Sequence, residues 1–207
     1  MPATKPATKI ATKRKRAKKQ PPPRVAILEE KKLTKAQRAL LESIRTGPRG
    51  GSVNIRGPFA VFLHSPVFGE LAQKLGGHCR YKTAVLPRLS ELAILITAKL
   101  WRAQYEWYAH VPQAERAGVK PETIRDIYAG RRPKSAPVDE LAIHDFVQEL
   151  YKTRRVSDKT YKKVVDILGE PATVDLVGIL GYYVLISMIL NVFRMPVPED
   201  AELPFPE

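Results

Sequence analysis

The sequence predicts an all-α fold in a single domain. Several segments combine helical apolar spacing with capping residues, and no segment alternates apolar and polar residues for long enough to form a convincing strand. The 207 residues suffice for one domain with a hydrophobic core, and a second full domain is not required. We expect a basic disordered arm at residues 1–24, the helical domain at 25–195 and a Pro-rich tail at 196–207.

The individual helices follow from apolar faces and from start and stop signals. Ser65 with Pro66 marks one start, because proline suits the first helical position. "GGHCRY" after it is interpreted as turn-like, and the segment from about Pro87 to Ala117 is the most amphipathic part of the chain. The predicted helices cover about 33–46, the segment from Ser65, the central segment at 87–117, 121–130, 137–153, 157–169 and 171–193.

The last predicted helix is apolar nearly all round and must be covered on more than one side. Its longest apolar stretch, at 176–190, is 15 residues long. A membrane-spanning helix needs about 20 residues, so we interpret this segment as a buried helix. The small residues Gly178, Gly181 and Ser187 permit a close approach of helices, and we expect a subunit interface here.

The net charge of +14 comes mostly from the N-terminus. Nine of the 35 Lys and Arg residues lie in residues 1–24, which contain no acid, and elsewhere 26 basic residues face 21 acidic ones. The composition of the arm is typical of a disordered, solubilising segment. "KRKRAKK" leaves open a nuclear-import signal, a nucleic-acid anchor or an organelle-targeting remnant.

The single cysteine, Cys79, excludes an internal disulfide, a CxxC pair and a cysteine-rich zinc site within one chain. With no apolar secretory signal at the N-terminus, we expect a cytoplasmic protein. No HxH, HxxxH or HExxH spacing occurs, and we expect neither a metal nor a cofactor. "GPRGG" does not fit a phosphate-binding loop, and no GxSxG motif is present.

The stretch "RAQYEWYAH" at 102–110 carries the candidate site. Glu106 and His110 are four residues apart, so a carboxylate and an imidazole share one helix face. Glu91 lies 19 residues before His110, and on an unbroken helix the two would point about 100° apart. They converge only if a bend divides the segment into two helices. A surface Glu–His pair beside core aromatics is the more common source of such spacing.

"LPRLSELAILITAKLWRAQYEWYAH", followed by "AGVKPETIRDIYAGRRP", resembles the carboxymuconolactone decarboxylase-like family of the alkylhydroperoxidase D-like superfamily. The resemblance extends from "GPFAVFLHSP" at 57–66 to "GYYVLISMILNVF" at 181–193 and leaves out the basic arm. It implies an all-α fold of the alkylhydroperoxidase D-like type. It also implies a trimer or hexamer with sites near the subunit contacts.

The redox branch of the superfamily uses a glutamate, a CxxC pair and a histidine. By that spacing Glu91 and His110 match the glutamate and the histidine, while Ala103 and Glu106 stand where the cysteines would be. Peroxide reduction by that branch needs thiols, so thiol peroxidase activity is not expected here.

The decarboxylase branch implies a cofactor-independent lyase that acts on a small carboxylate or lactone in aromatic catabolism. His110 is then the candidate acid, oriented by Glu106 or Glu91. The residues expected to contact the substrate are Gln104, Tyr105, Trp107, His64, Arg56 and Arg88. The alternatives are a non-thiol oxidoreductase-like relative, and a non-catalytic helical scaffold whose arm at 1–24 binds nucleic acid or another polyanion.

Overall fold

The computed structural model describes residues 20–51 and 53–206, and within these ranges all regular structure is helical. The predicted all-α class is therefore confirmed. A short 3₁₀ turn at Glu30–Lys32 precedes the helices. In chain order, the α-helices of the described residues are α1 (Lys35–Thr46), α2 (Gly57–Phe62), α3 (Pro66–Tyr81), α4 (Pro87–Leu100), α5 (Gln104–Arg116), α6 (Pro121–Tyr128), α7 (Val138–Thr153), α8 (Asp158–Leu168) and α9 (Glu170–Phe193).

Helix α4 is the centre of the fold and packs against α5, α6, α7 and α9. Every residue from 89 to 98 is buried, so the helix is covered on all sides. The remaining helices form a shell in which α1 and α2 pack on α3, while α8 packs on α7 and α9. Glu91 lies within this buried stretch, which places a carboxylate in the core.

The amphipathic segment at 87–117 consists of two helices, separated by a turn at residues 101–103. Arg102 has a left-handed backbone with φ +49°. Its N–H donates to the Lys99 carbonyl, and the Ala103 N–H donates to the Ala98 carbonyl at 2.9 Å. Both bonds are typical of a helix end at which a left-handed residue reverses the chain. This turn is the bend that the convergence of Glu91 and His110 requires.

The interpretation of "GGHCRY" as a turn was wrong, because these residues form the last turns of α3. Gly76 is helical where α3 packs against α9, and a Cβ atom there would collide with the Tyr182 hydroxyl and the Arg49 guanidinium. The glycine thus serves close packing. The short helix α2 was not predicted, since six residues that begin with Gly57 and a proline carry little helical pattern.

Helix α9 combines a buried side with an exposed apolar side. The buried side packs against α2, α3, α4 and α8. By length and composition alone, its 24 residues suffice to cross a membrane, and half of its most apolar window is buried inside the protein. On the other side, Val174, Val177 and Val192 are each at least half exposed.

The two ends of the described chain meet near the end of α9. The Gln20 side chain exchanges two hydrogen bonds with the backbone of Val197, and the Arg24 N–H donates to the Phe193 carbonyl. Residues 195–206 then cross to α5, where Phe205 is buried. The remainder of the predicted arm, at 1–19, lies outside the described residues, as do 52 and 207.

Candidate active site

His110 lies between two carboxylates in the interior. Its Nδ1 is 2.7 Å from Glu91 Oε2, and its Nε2 is 3.1 Å from Glu106 Oε2. Arg80 completes the cluster: its Nη1 is 3.3 Å from His110 Nε2, and its Nη2 is 3.8 Å from Glu91 Oε1. Both glutamates that the sequence singled out as catalytic therefore contact His110, and a cation joins them.

Four helices supply the cluster. Arg80 is in the last turn of α3, Glu91 in the second turn of α4, and Glu106 and His110 on one face of α5. The turn at residues 101–103 folds α5 back along α4, which makes the separation of 19 residues a direct contact. Tyr183 of α9 closes the cluster with its ring edge-on to the imidazole, at a centroid separation of 5.1 Å.

Because the cluster is buried, the electrostatic interactions among its charged groups are strong. His110 is only 5% exposed, Glu91 8% and Glu106 4%. Burial by itself lowers the pKa of His110, but the contacts with Glu106 and Glu91 outweigh it, so the pKa of His110 is raised above its ordinary value. The two carboxylates therefore favour the protonated imidazole, and in that form two cations balance two carboxylates.

The two ring nitrogens of His110 have different tasks. The Nδ1–H donates to Glu91, and this bond fixes the ring orientation and the tautomer. Nε2 faces an acceptor, Glu106 Oε2, and a donor, Arg80 Nη1. A protonated Nε2 is stabilised by Glu106 and a deprotonated one by Arg80, so both states have a partner.

The carboxylate of Glu106 is not saturated by these contacts. Its Oε2 atom is buried and forms no well-aligned hydrogen bond within the described residues, although it lies 3.1 Å from His110 Nε2. The short distance therefore marks an electrostatic contact rather than a directed bond. An unsatisfied acceptor beside an exchangeable proton is suited to receive that proton or to accept a bond from a ligand.

Sequence reasoning missed Arg80 and Tyr183. Arg80 was hidden because "GGHCRY" was interpreted as a turn; a continuous α3 places its side chain beside Cys79 on the inward half of the helix. Tyr183 was not predicted as a site residue, because it lies within the apolar run of α9. Burial raises the pKa of the Tyr183 phenol far above its ordinary value, so the hydroxyl stays neutral.

Two of the residues expected to contact substrate hold the C-terminal segment. The Gln104 side chain accepts from the Phe205 N–H at 2.8 Å and donates to its carbonyl at 2.7 Å. Trp107 packs edge-on against the Phe205 ring and beside Tyr128. Tyr105 is partly buried against Gly57, and burial, followed by the charge of Glu106, raises the pKa of its phenol.

The other three lie in different surroundings. Arg88 is engaged by α7, with guanidinium nitrogens 2.5 Å from both Asp139 Oδ2 and Glu140 Oε1. Exposed His64 contacts the Ala26 carbonyl through its Nε2 at 2.9 Å. Arg56 is exposed at the start of α2. None of the three shows a contact with His110 within the described residues, and their assignment to substrate stays a prediction.

The positions that would carry thiols are occupied by a methyl group and a carboxylate. Ala103 is fully buried directly before α5, and Glu106 belongs to the His110 cluster. The chain's one thiol, Cys79, is buried in α3, and burial raises its pKa, so it is a poor nucleophile near neutral pH. Among residues 20–51 and 53–206, no group of His, Cys, Asp and Glu is arranged to hold a metal ion.

Comparison with known proteins adds no assignment: no family model matches the chain, and no curated protein matches it.

Proposed function

We propose that the chain is a cofactor-independent lyase resembling carboxymuconolactone decarboxylase, and that His110 is its acid–base residue. The observation that supports this proposal is the buried imidazole held at Nδ1 by Glu91 and faced at Nε2 by Glu106 and Arg80. Such a site offers one oriented, exchangeable proton in surroundings that exclude water.

The proposed step is the decarboxylation of a small unsaturated lactone acid. The bond between the carboxylate carbon and the ring breaks, carbon dioxide leaves, and the electron pair moves into the conjugated lactone carbonyl. The Nε2–H of His110 then protonates the resulting dienolate at carbon. Glu106 stabilises the imidazolium before this transfer, and Arg80 donates to the neutral Nε2 after it. The step needs no oxidant.

Arg80 is also the best-placed cation for a substrate carboxylate. Its side chain is 19% exposed, compared with 6% for His110, so it is the most accessible charged member of the cluster. A guanidinium binds a carboxylate through two parallel hydrogen bonds. We therefore assign to Arg80 the substrate-holding task that the sequence suggested for Arg56 or Arg88, with the cytoplasm as the place of the reaction.

Turnover of carboxymuconolactone and a panel of related lactones and keto acids tests the proposal, with formation of carbon dioxide as the readout. His110→Gln should lower kcat by about 100-fold or more, because general acid catalysis contributes about 10²–10⁴-fold. His64→Gln is the matched control and should retain parental turnover. Equal turnover in His110→Gln and the parent would end the assignment, as would a parent inactive on the whole panel.

We also propose that the chain assembles through the exposed side of α9. The exposed and half-buried positions on this side are symmetric about Gly181, four and seven residues away in both directions. They are Val174, Val177, Gly181, Leu185 and Met188. A Cβ atom at Gly181 would meet nothing within 4 Å in one chain, so a second helix has room to approach closely.

This symmetry favours antiparallel pairing of α9 with α9 of a second copy, with Gly181 on the two-fold axis. Val174 then faces Met188 and Val177 faces Leu185, so apolar side chains cover one another. A two-fold pair predicts an even number of subunits, consistent with a hexamer and not with an isolated trimer.

Molar mass by light scattering tests the assembly. The molar mass of the parent should be an even multiple of the chain mass of 23.3 kDa, and Val177→Glu should give a smaller species. Val138→Glu is the control, because Val138 is an even more exposed valine, at the start of α7 and away from α9. A parental monomer or trimer would overturn the pairing, and so would a parental assembly that persists in Val177→Glu.

A further inference from the structure

A cavity of about 350 Å³ lies away from His110, between the end of α9, the turn at residues 101–103 and the C-terminal segment. Such a volume suits a small molecule. The two ends of the described chain form part of its wall, through Gln20 and Pro206. Leu190 and Met195 supply an apolar surface, and Arg102 and Arg194 bring positive charge to the lining.

The charge of this cavity is one-sided. Within the described residues its lining contains Arg102 and Arg194 but no Asp or Glu. One Arg102 nitrogen donates to the Pro206 carbonyl, and the rest of the guanidinium fork remains available. Each guanidinium can bind an acidic group through two parallel hydrogen bonds, so two of them in one lining favour an anion with two charges.

The neutral groups of the lining favour the same ligand. The Gln104 and Gln20 amides each exchange two hydrogen bonds with the backbone of Phe205 and Val197, respectively, so they fix the walls. Asn191 is held likewise, since its amide donates to the Trp101 carbonyl at 2.8 Å. Tyr105 keeps its phenolic proton, because burial raises its pKa. A hydroxyl donor and two cations thus face a pocket whose other groups are engaged.

A neighbouring cavity is also lined by basic residues, but it differs from the cavity at Arg102 and Arg194 in how these residues are paired. It shares Arg102 and is also lined by Lys99, Arg131 and His144. There the cations already have partners: Arg131 pairs with Asp126 at 2.7 Å, and the Lys99 ammonium lies over aromatic rings. The charge of this neighbouring cavity is therefore largely used within the chain.

We propose that the cavity lined by Arg102 and Arg194 is a binding site for a small dianion, either a short dicarboxylate or a phosphate group. Arg102 and Arg194 each bind one acidic group or one edge of a phosphate, and Tyr105 donates a hydrogen bond. The site is distinct from the His110 cluster, and the proposal does not depend on the lyase function.

Calorimetric titration of the full chain at constant ionic strength tests this site. The probes are inorganic phosphate, succinate and adipate, with acetate as the monoanion. At least one dianion should bind more tightly than acetate, and Arg194→Gln and Arg102→Gln should each weaken it by about tenfold or more. The preferred probe distinguishes the sources: phosphate indicates a phosphate ligand, and succinate or adipate indicates a diacid.

Arg154→Gln is the matched control. Arg154 is also an arginine with a left-handed backbone at the end of a helix, but it lines neither cavity. Parental affinity is expected for it and for His110→Gln. Absence of dianion binding, or an equal loss in Arg154→Gln, would overturn the site. Binding that survives Arg194→Gln and disappears in His110→Gln would move the anion to the His110 cluster, which overturns this site and leaves the proposed function standing.

Discussion

His110 and His144 are both buried beside carboxylates, yet their pKa values move in opposite directions. For His144, burial lowers the pKa, and its one carboxylate, Asp145, does not compensate. For His110, two carboxylates outweigh the same effect of burial. Asp145 is shared with Arg132, which binds both of its oxygens at 2.7 and 2.9 Å.

The difference shows that the number of uncommitted carboxylates decides the charge of a buried histidine. Glu91 and Glu106 direct an oxygen each at His110, whereas Asp145 directs both of its oxygens mainly at an arginine. The same residue type in similar burial therefore favours the protonated form in one region and the neutral form in the other.

The largest expected effect is on catalysis, through Glu91→Gln. The neutral amide no longer stabilises the imidazolium that donates the Nε2 proton, so turnover should fall by about 100-fold or more. Asp145→Asn is the matched change at the other histidine and should leave turnover within about twofold of the parent. Steady-state kinetics on carboxymuconolactone measures both. Similar losses in the two variants would contradict the different roles expected for His110 and His144.

Replacement of each histidine by leucine should lower the free energy of unfolding by different amounts. His110→Leu leaves two buried carboxylates with Arg80 as their single described cation, and we expect it to lower the free energy of unfolding by about 3 kcal/mol. His144→Leu removes a neutral ring whose carboxylate keeps Arg132, so about 1 kcal/mol or less is expected. Urea unfolding at neutral pH gives both values, and a greater loss in His144→Leu would contradict this account.

NMR titration of variants that lack one carboxylate measures the effect of that carboxylate on the pKa of the neighbouring histidine. Glu106→Gln removes an attraction for the protonated ring, so the pKa of His110 should fall. The pKa of His144 should also fall in Asp145→Asn, because the carboxylate that raises it is lost and the positive charge of Arg132 remains beside the ring. A pKa of His110 that stays unchanged in Glu106→Gln would show that Glu91 alone holds the proton.

The smallest effect is the pH dependence of stability. His110 has a raised pKa in the folded state, so its contribution is full below the ordinary value of 6.5 and is lost as the pH rises through the folded value. His144 has a lowered pKa, so its contribution is full above 6.5 and is lost as the pH falls below it. Unfolding curves of the parent, His110→Gln and His144→Gln between acid and alkaline pH should show these opposite slopes.

Much of the helical framework was predictable because its signals are local. Ser157 caps α8 by accepting from the Thr160 N–H, and Pro121 begins α6. The sequence did not locate the division of the central segment, because the left-handed residue at the turn is Arg102. A glycine at this position would have indicated the end of a helix. Which side of α9 is covered depends on distant helices, so its spacing alone does not reveal it.

In the candidate site, too, only the contacts within one helix were predictable from the sequence. The four-residue spacing of Glu106 and His110 is a property of one helix and was legible in the sequence. Their contact with Glu91 depends on a turn, and the approach of Arg80 depends on Gly76, whose missing side chain lets α3 pack on α9. Such contacts between helices carry no local pattern, which is why Arg80 was absent from the predicted residues.

The two tryptophans give the molecule an internal optical reporter. Trp101 is 37% exposed on the turn after α4, whereas Trp107 is 7% exposed and packs on Phe205. Indole emission shifts to longer wavelength when water reaches the ring, so the short-wavelength part of the fluorescence belongs to Trp107. Intrinsic fluorescence can therefore follow, without any label, whether the C-terminal segment is seated on α5.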